Sequence, residues 1–285
     1  MTALLASLAS AAFYGAADFL GGLASRRAHT IIVVAIAQLS GFVALGLVLP
    51  FLPPSAPTHH DWIWGAAAGL TGGIGVALLY RALAMGSMAI VAPITAVCAV
   101  TVPVAVSIAL GERPGIGAIS GIVLAIIAIV LVSRQRVPDG DDGAARSARM
   151  RAAGTAFGSG VAIGLFFLAL AQTKADAGMW PLVAARGLSS AMFVALALAR
   201  QGSLRMPARV AATVILCGVL DVLANVLYLI ASRYGPLSVV VTLSSLYPAS
   251  TVLLARFVLG ERLSGSQAFG VACALAAVML IVGTR

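Results

Sequence analysis

The chain has 285 residues, of which 61% are hydrophobic and 9% charged, whereas an ordinary soluble domain carries about 25% charged and about 45–50% apolar residues. Nine acidic and eighteen basic side chains cannot wet the surface of a soluble chain this long, so soluble, disordered, collagen-like and disulfide-rich classes are excluded in favour of an integral membrane protein. The net charge of +9 comes from arginines scattered between apolar runs rather than gathered with aromatics, which suits orientation beside membrane spans and not nucleic-acid binding.

About 20 apolar residues are needed for a helix to cross the hydrocarbon core. Runs of that size predict spans at 3–24, 31–51, 62–83, 88–110, 114–133, 152–174, 180–199, 209–232, 236–258 and 263–283. The runs are continuous, not alternating, which excludes transmembrane strands. The first has no basic residue before Arg26 and is too long for a signal-peptide core, so it reads as a span. Pro50, Pro53, Pro54 and Pro57 stiffen the connection that follows the second. Trp62, Trp64 and Trp180 stand at span starts, where indole rings favour the interface. Cys98, Cys217 and Cys273 lie inside apolar runs with no CxxC pair, as small buried side chains. The one sizeable hydrophilic segment, 134–151, faintly resembles a calcium loop at Asp139, Asp141 and Asp142 but reads as a solvated linker. It divides the chain into units 1–133 and 152–285.

The two units are related. A shift of 149 residues lays Leu110-Gly-Glu-Arg113 on Leu259-Gly-Glu-Arg262. The same shift lays Gly15, Gly69, Gly86 and Gly121 on Gly164, Gly218, Gly235 and Gly270, and Thr95 and Thr101 on Ser244 and Ser250. Each unit holds five spans, an odd number, so the second enters the membrane inverted relative to the first. Inverted repeats place a site near the midplane, between halves that rock about it, and this architecture points to a transporter. Twelve basic residues fall on the odd-numbered connections and four on the opposite side, which predicts odd connections in the cytoplasm and both termini outside.

Gly-Glu-Arg at 111–113 and 260–262, each followed by an apolar span with Gly121 or Gly270, together with Tyr247-Pro248 upstream of Gly260, resemble the drug/metabolite transporter superfamily. The likeness is to the EamA-type ten-helix exporters, amino-acid exporters among them, and covers Ala3 to Gly283. It implies a central cavity enclosed by the first four helices of each half, with the fifth and tenth peripheral. The first half departs from the pattern, with Ala99 where the second has Pro248 and a proline displaced to Pro103.

Charges inside a span cost about 2.5–3.5 kcal/mol each on insertion scales, so they face a cavity or a partner. Asp18 in the first span, Arg186 in the seventh and Asp221 in the eighth are the candidates. Either aspartate could take a proton or a substrate amine, with Arg186 contacting a carboxylate. Equally, Asp221 and Arg186 could form a locking pair, and Asp18 could sit at the aqueous edge, drawn to Arg26 and Arg27. Arg81 and Arg256 fall at span ends and read as snorkelling side chains. Asn225 and Tyr228 follow Asp221 at one and two turns and share its face. Tyr80, Thr95, Ser244, Ser245 and Tyr247 add hydroxyls. Pro93, Pro103 and Pro248 expose carbonyls and could act as helix hinges. Gly65, Gly69 and Gly73, and Gly117 and Gly121, form small-residue ladders for close helix approach. Glu112 and Glu261 read as local caps or partners of the neighbouring arginines. His59-His60-Asp61 has no further ligand, and no catalytic or nucleotide motif is present, so neither metal, cofactor nor enzyme activity is expected.

These observations predict an all-helical transporter of a small metabolite, working by alternating access as a monomer among membrane lipids. The resemblance implies an exporter in the cytoplasmic membrane, with amino acids first as its cargo. A lipid or lipid-linked-sugar translocator is the alternative, and a membrane-embedded enzyme a more distant one.

Overall fold

The computed structural model describes residues 2–52, 54–109, 115–133, 143–234, 240, 243–244 and 246–283. Ten α-helices and no strand occur among them: α1 (Thr2–Ser25), α2 (Thr30–Val48), α3 (His59–Met85), α4 (Met88–Ala109), α5 (Ile116–Ser133), α6 (Gly143–Ala171), α7 (Trp180–Gln201), α8 (Ala208–Tyr234), α9 (Tyr247–Leu259) and α10 (Gly265–Gly283). Six of them are long and apolar enough to cross a bilayer. Large apolar side chains such as Ile116, Phe257 and Phe269 stay exposed on the outside, an arrangement that suits lipid and would be unstable in water.

The packing obeys the 149-residue shift. Under it α1 becomes α6 and α3 becomes α8, and accordingly α1 packs on α8 while α3 packs on α6. The contact of α4 with α6 is answered by that of α9 with α1, and α3 against α7 by α8 against α2. The pairs α2–α7, α4–α9 and α5–α10 each lie across the pseudo-axis. Individual atoms repeat the rule: the Ser10 hydroxyl donates to the Ala224 carbonyl and the Ser159 hydroxyl to that of Gly75, both at 2.8 Å. The chain is a membrane protein of two inverted five-helix repeats.

Helices in lipid approach closely only where side chains are small, and the spaced glycines stand at those crossings. A Cβ on Gly69 of α3 would strike the Ala185 carbonyl of α7; on Gly218 of α8 it would strike the Ala37 carbonyl of α2. Gly65 meets Pro181 and Gly73 meets Ser189 and Phe193 in the same way, so this ladder serves packing. Trp62 and Trp180, at the starts of α3 and α7, meet with their rings tilted at 51° and centroids 5.6 Å apart. Asp61 caps α3 through Thr58 and accepts the Lys174 N–H at 2.8 Å, linking two connections.

Three expectations shift. α6 begins at Gly143, inside the expected linker, and the aspartates of that linker lie outside the described residues. In the expected ninth span, 236–258, the continuous described helix runs from Tyr247 onward, and residues 240 and 243–244 before it are also helical. Pro248 thus falls in the first turn of α9, where a missing N–H removes no helical bond, while Pro93 and Pro103 do lie inside α4.

Glu261 is not paired with its neighbour Arg262. α9 ends at Gly260 with φ +67°, and the Glu261 N–H reaches back to the Ala255 carbonyl. This left-handed turn, which a Cβ would strain, aims the Glu261 carboxylate at the start of α4. There it accepts from the Ser87 hydroxyl at 2.7 Å and from the N–H groups of Met88 and Ala89 at 3.2 and 3.1 Å. Arg26 completes the junction, donating to the Leu83 and Gly86 carbonyls and lying 3.4 Å from Glu261. The first, third and ninth connections therefore meet on one face of the bundle. Glu112 and Arg113 lie outside the described residues. Glu261→Gln keeps one acceptor oxygen but loses the charge opposite the α4 N-terminus; a stability loss of about 1–2 kcal/mol is expected in thermal unfolding in detergent.

Candidate functional site

Polar side chains that avoid lipid collect between α1, α2, α7, α8 and α9. Arg186 of α7 is paired with Asp221 of α8 through one terminal nitrogen. Its other terminal nitrogen donates to Gln38 Oε1 of α2 at 2.6 Å. The side chains of Arg186 and Asp221 keep 15% and 25% of their surface accessible, so the pair borders open space and is not sealed in apolar packing. Asn225, one turn along α8, donates to the Asp221 carbonyl at 2.7 Å, which holds its amide beside the pair.

The glycines make this meeting possible. Because Gly218 has no side chain, α8 lies directly on Ala37 and Ser40 of α2. Gln38 is the next residue of α2, and Asp221 lies one turn beyond Gly218. On α7, Gly69 of α3 nests against Ala185, the residue before Arg186.

Aromatic groups line the α1 side. Tyr14 meets Tyr247 edge to face, with centroids 6.2 Å apart. Arg186, Tyr228 and Asp18 lie in the neighbourhood of Tyr14. Asp18 stands one turn after Tyr14 and is half-buried; among the described residues no hydrogen bond or ion pair engages it. Tyr80 of α3 is buried, and its ring covers Gly21. The Cys217 thiol donates to the Ala17 carbonyl at 3.2 Å, which leaves the Tyr80 hydroxyl as donor to the sulfur at 3.1 Å.

Of the sequence candidates, Asp18, Arg186, Asp221, Asn225, Tyr228 and Tyr247 come together here, with Tyr80 behind them. Thr95 does not join them: it is buried between α4 and α6, its hydroxyl held by the Ala156 carbonyl at 3.2 Å. Ser244 is buried with no partner for its hydroxyl among the described residues, and Ser245 lies outside them. Gln38, Tyr14 and Cys217 are members that sequence reading missed. Gln38 and Tyr14 were visible as lone polar-tipped residues inside apolar runs. No group of three or more metal-type ligands occurs among the described residues.

The cluster breaks the symmetry of its scaffold. Shifted by 149 residues, Tyr14, Asp18, Asp221, Asn225, Tyr228 and Tyr247 correspond to Ile163, Phe167, Gly72, Val76, Leu79 and Cys98. The space beside Gly72 is filled by the Phe166 ring, which packs on Phe167 with centroids 5.3 Å apart. One of two equivalent crevices is thus polar and the other filled with apolar side chains.

A ten-helix bundle of inverted repeats with a charged cluster set among its helices has the build of a membrane transporter. The chain matches the EamA-like transporter family over residues 1–134 and again over 150–283. It belongs to that family, whose members are multi-pass membrane transporters of small molecules. A solved structure titled only "Crystal structure of protein" is 17% identical, covers 95% of each chain and superposes with a TM-score of 0.55, a likeness of fold. Comparison with curated proteins gives no match.

Proposed function

We propose that the protein exports small amine-bearing metabolites, amino acids first among them, across the cytoplasmic membrane by alternating access. The observation that carries this reading is the Arg186–Asp221 pair with its Gln38 and Asn225 supports. A zwitterion has the same two charges as the pair: its carboxylate can take the guanidinium and its ammonium the aspartate. Exchange of an internal ion pair for a substrate of matching charge avoids stranding either charge in a low-dielectric site, which would be strongly unfavourable. Such a ligand binds the two states of the cycle differently when only one state lets it replace the internal contacts, and that difference drives the alternation. The sequence has no ATP-binding motif, so an ion gradient or the substrate gradient supplies the driving force. If protons couple, Asp18 or Asp221 carries them.

The test is flux in proteoliposomes across a panel of radiolabelled amino acids, against protein-free vesicles. Saturable flux that unlabelled amino acids compete away is expected. Folded, inserted protein that moves none of the panel would discard the amino-acid reading and leave the family assignment in place.

A further inference from the structure

Charge accounting in the polar crevice leaves a remainder. Arg186 and Asp221 cancel one another, whereas Asp18 has no cationic partner among the described residues. The nearest basic residues in sequence are Arg26 and Arg27, just past the end of α1 and about 12 Å on at 1.5 Å per residue. Arg26 is engaged at the helix end by Leu83, Gly86 and Glu261, and both arginines are exposed there. Asp18 therefore does not belong to the aqueous edge through those two residues. It lies one turn from Tyr14, whose ring meets Tyr247, and one residue from Ala17, whose carbonyl takes the Cys217 thiol. Tyrosine rings attract cations over their faces. The equivalent residue of the other repeat is Phe167, so nothing in the duplicated scaffold itself requires an acid at this place.

We infer that Asp18 is a second cation-binding pole, so that the carrier favours amino acids with a positively charged side chain over neutral ones. This rests on the amino-acid reading of the same site. The zwitterionic head exchanges with Arg186 and Asp221, charge for charge, and the extra cation of the side chain neutralises Asp18. A neutral amino acid satisfies the head but offers Asp18 no cation to pair with, and an acidic one places a second acid beside it.

Counterflow into proteoliposomes separates these cases with three labelled compounds: lysine, norleucine, which has the same chain without the ε-amine, and 1,5-diaminopentane, which lacks the carboxylate. Lysine is expected to exceed norleucine in kcat/KM by about tenfold or more. With Asp18→Asn the lysine-to-norleucine ratio should fall to near one, and Asp18→Glu should retain the preference. Both variants are first shown to elute as the same monodisperse species as the parent protein. Norleucine carried as well as lysine by the unmodified protein, or a preference that survives Asp18→Asn, overturns the inference while the amino-acid reading stands. Transport of 1,5-diaminopentane alone would keep the Asp18 pole and overturn the amino-acid reading. No flux of any of the three overturns both.

Discussion

Arg186→Gln and Asp221→Asn are each expected to abolish amino-acid flux and to lower thermal stability, whereas the double variant is expected to regain stability without regaining flux. The reasoning is one of unpaired charge. Removing either partner of a fully buried ion pair strands the other charge at a cost of about 3–5 kcal/mol, and this partly accessible pair should lose somewhat less, while replacing both with neutral groups of similar shape is often close to neutral. In Asp221→Asn the guanidinium keeps Gln38, an uncharged partner that does not balance it. In Arg186→Gln the carboxylate loses its cationic partner, and the amide of nearby Asn225 is already turned to the Asp221 carbonyl. The double variant restores neutrality but has no charges to exchange with a zwitterion. Thermal unfolding in detergent and flux per folded molecule read the two effects separately. A double variant that transports normally would show that the pair is a lock between α7 and α8 and not a substrate site.

How far the sequence anticipates the structure follows from what a bilayer demands. Spans are legible because each must present about 20 apolar residues, and helices α1 to α8 begin and end close to where hydropathy places them, apart from the early start of α6. The repeat is legible because glycines at helix crossings cannot drift in sequence without a clash: the register of Gly69 with Gly218 is also the register of two backbone contacts. Direction is less legible. Glu261 looked like a local cap, yet the turn at Gly260 carries it to a helix of the other repeat. Thr95 matched Ser244 in the alignment of halves, yet its hydroxyl faces α6. Hydropathy fixes which residues lie in a span but not which neighbour each face meets. The site itself is legible mainly as departure from symmetry, since Asp18, Asp221 and Tyr247 stand where the other half has Phe167, Gly72 and Cys98. Duplication explains the scaffold; the proposed chemistry rests on the residues that do not repeat.

The same crossings supply the second large effect. Gly69→Val and Gly218→Val are each expected to remove most of the folded protein, and what remains should be inactive. Overpacking a well-filled contact costs about 1–3 kcal/mol even when side chains can adjust, and here the obstacles are the Ala185 and Ala37 carbonyls, which move only if a whole helix moves. Displacing α7 at Ala185 shifts Arg186, the next residue, and displacing α8 at Gly218 shifts Asp221 one turn on, so both substitutions pull apart the ion pair they do not touch. Gly46→Val and Gly154→Val are the matched controls, because a Cβ at either position meets nothing within 4 Å. Those two should extract, elute and transport as the parent does, or gain slightly from the loss of helical glycine. Monodisperse yield after extraction, followed by flux per folded molecule, distinguishes the pairs. Crossing variants that behave like the controls would mean that α2–α8 and α3–α7 are loosely packed, and that the polar cluster is held together by its own hydrogen bonds and not by the glycines beneath it.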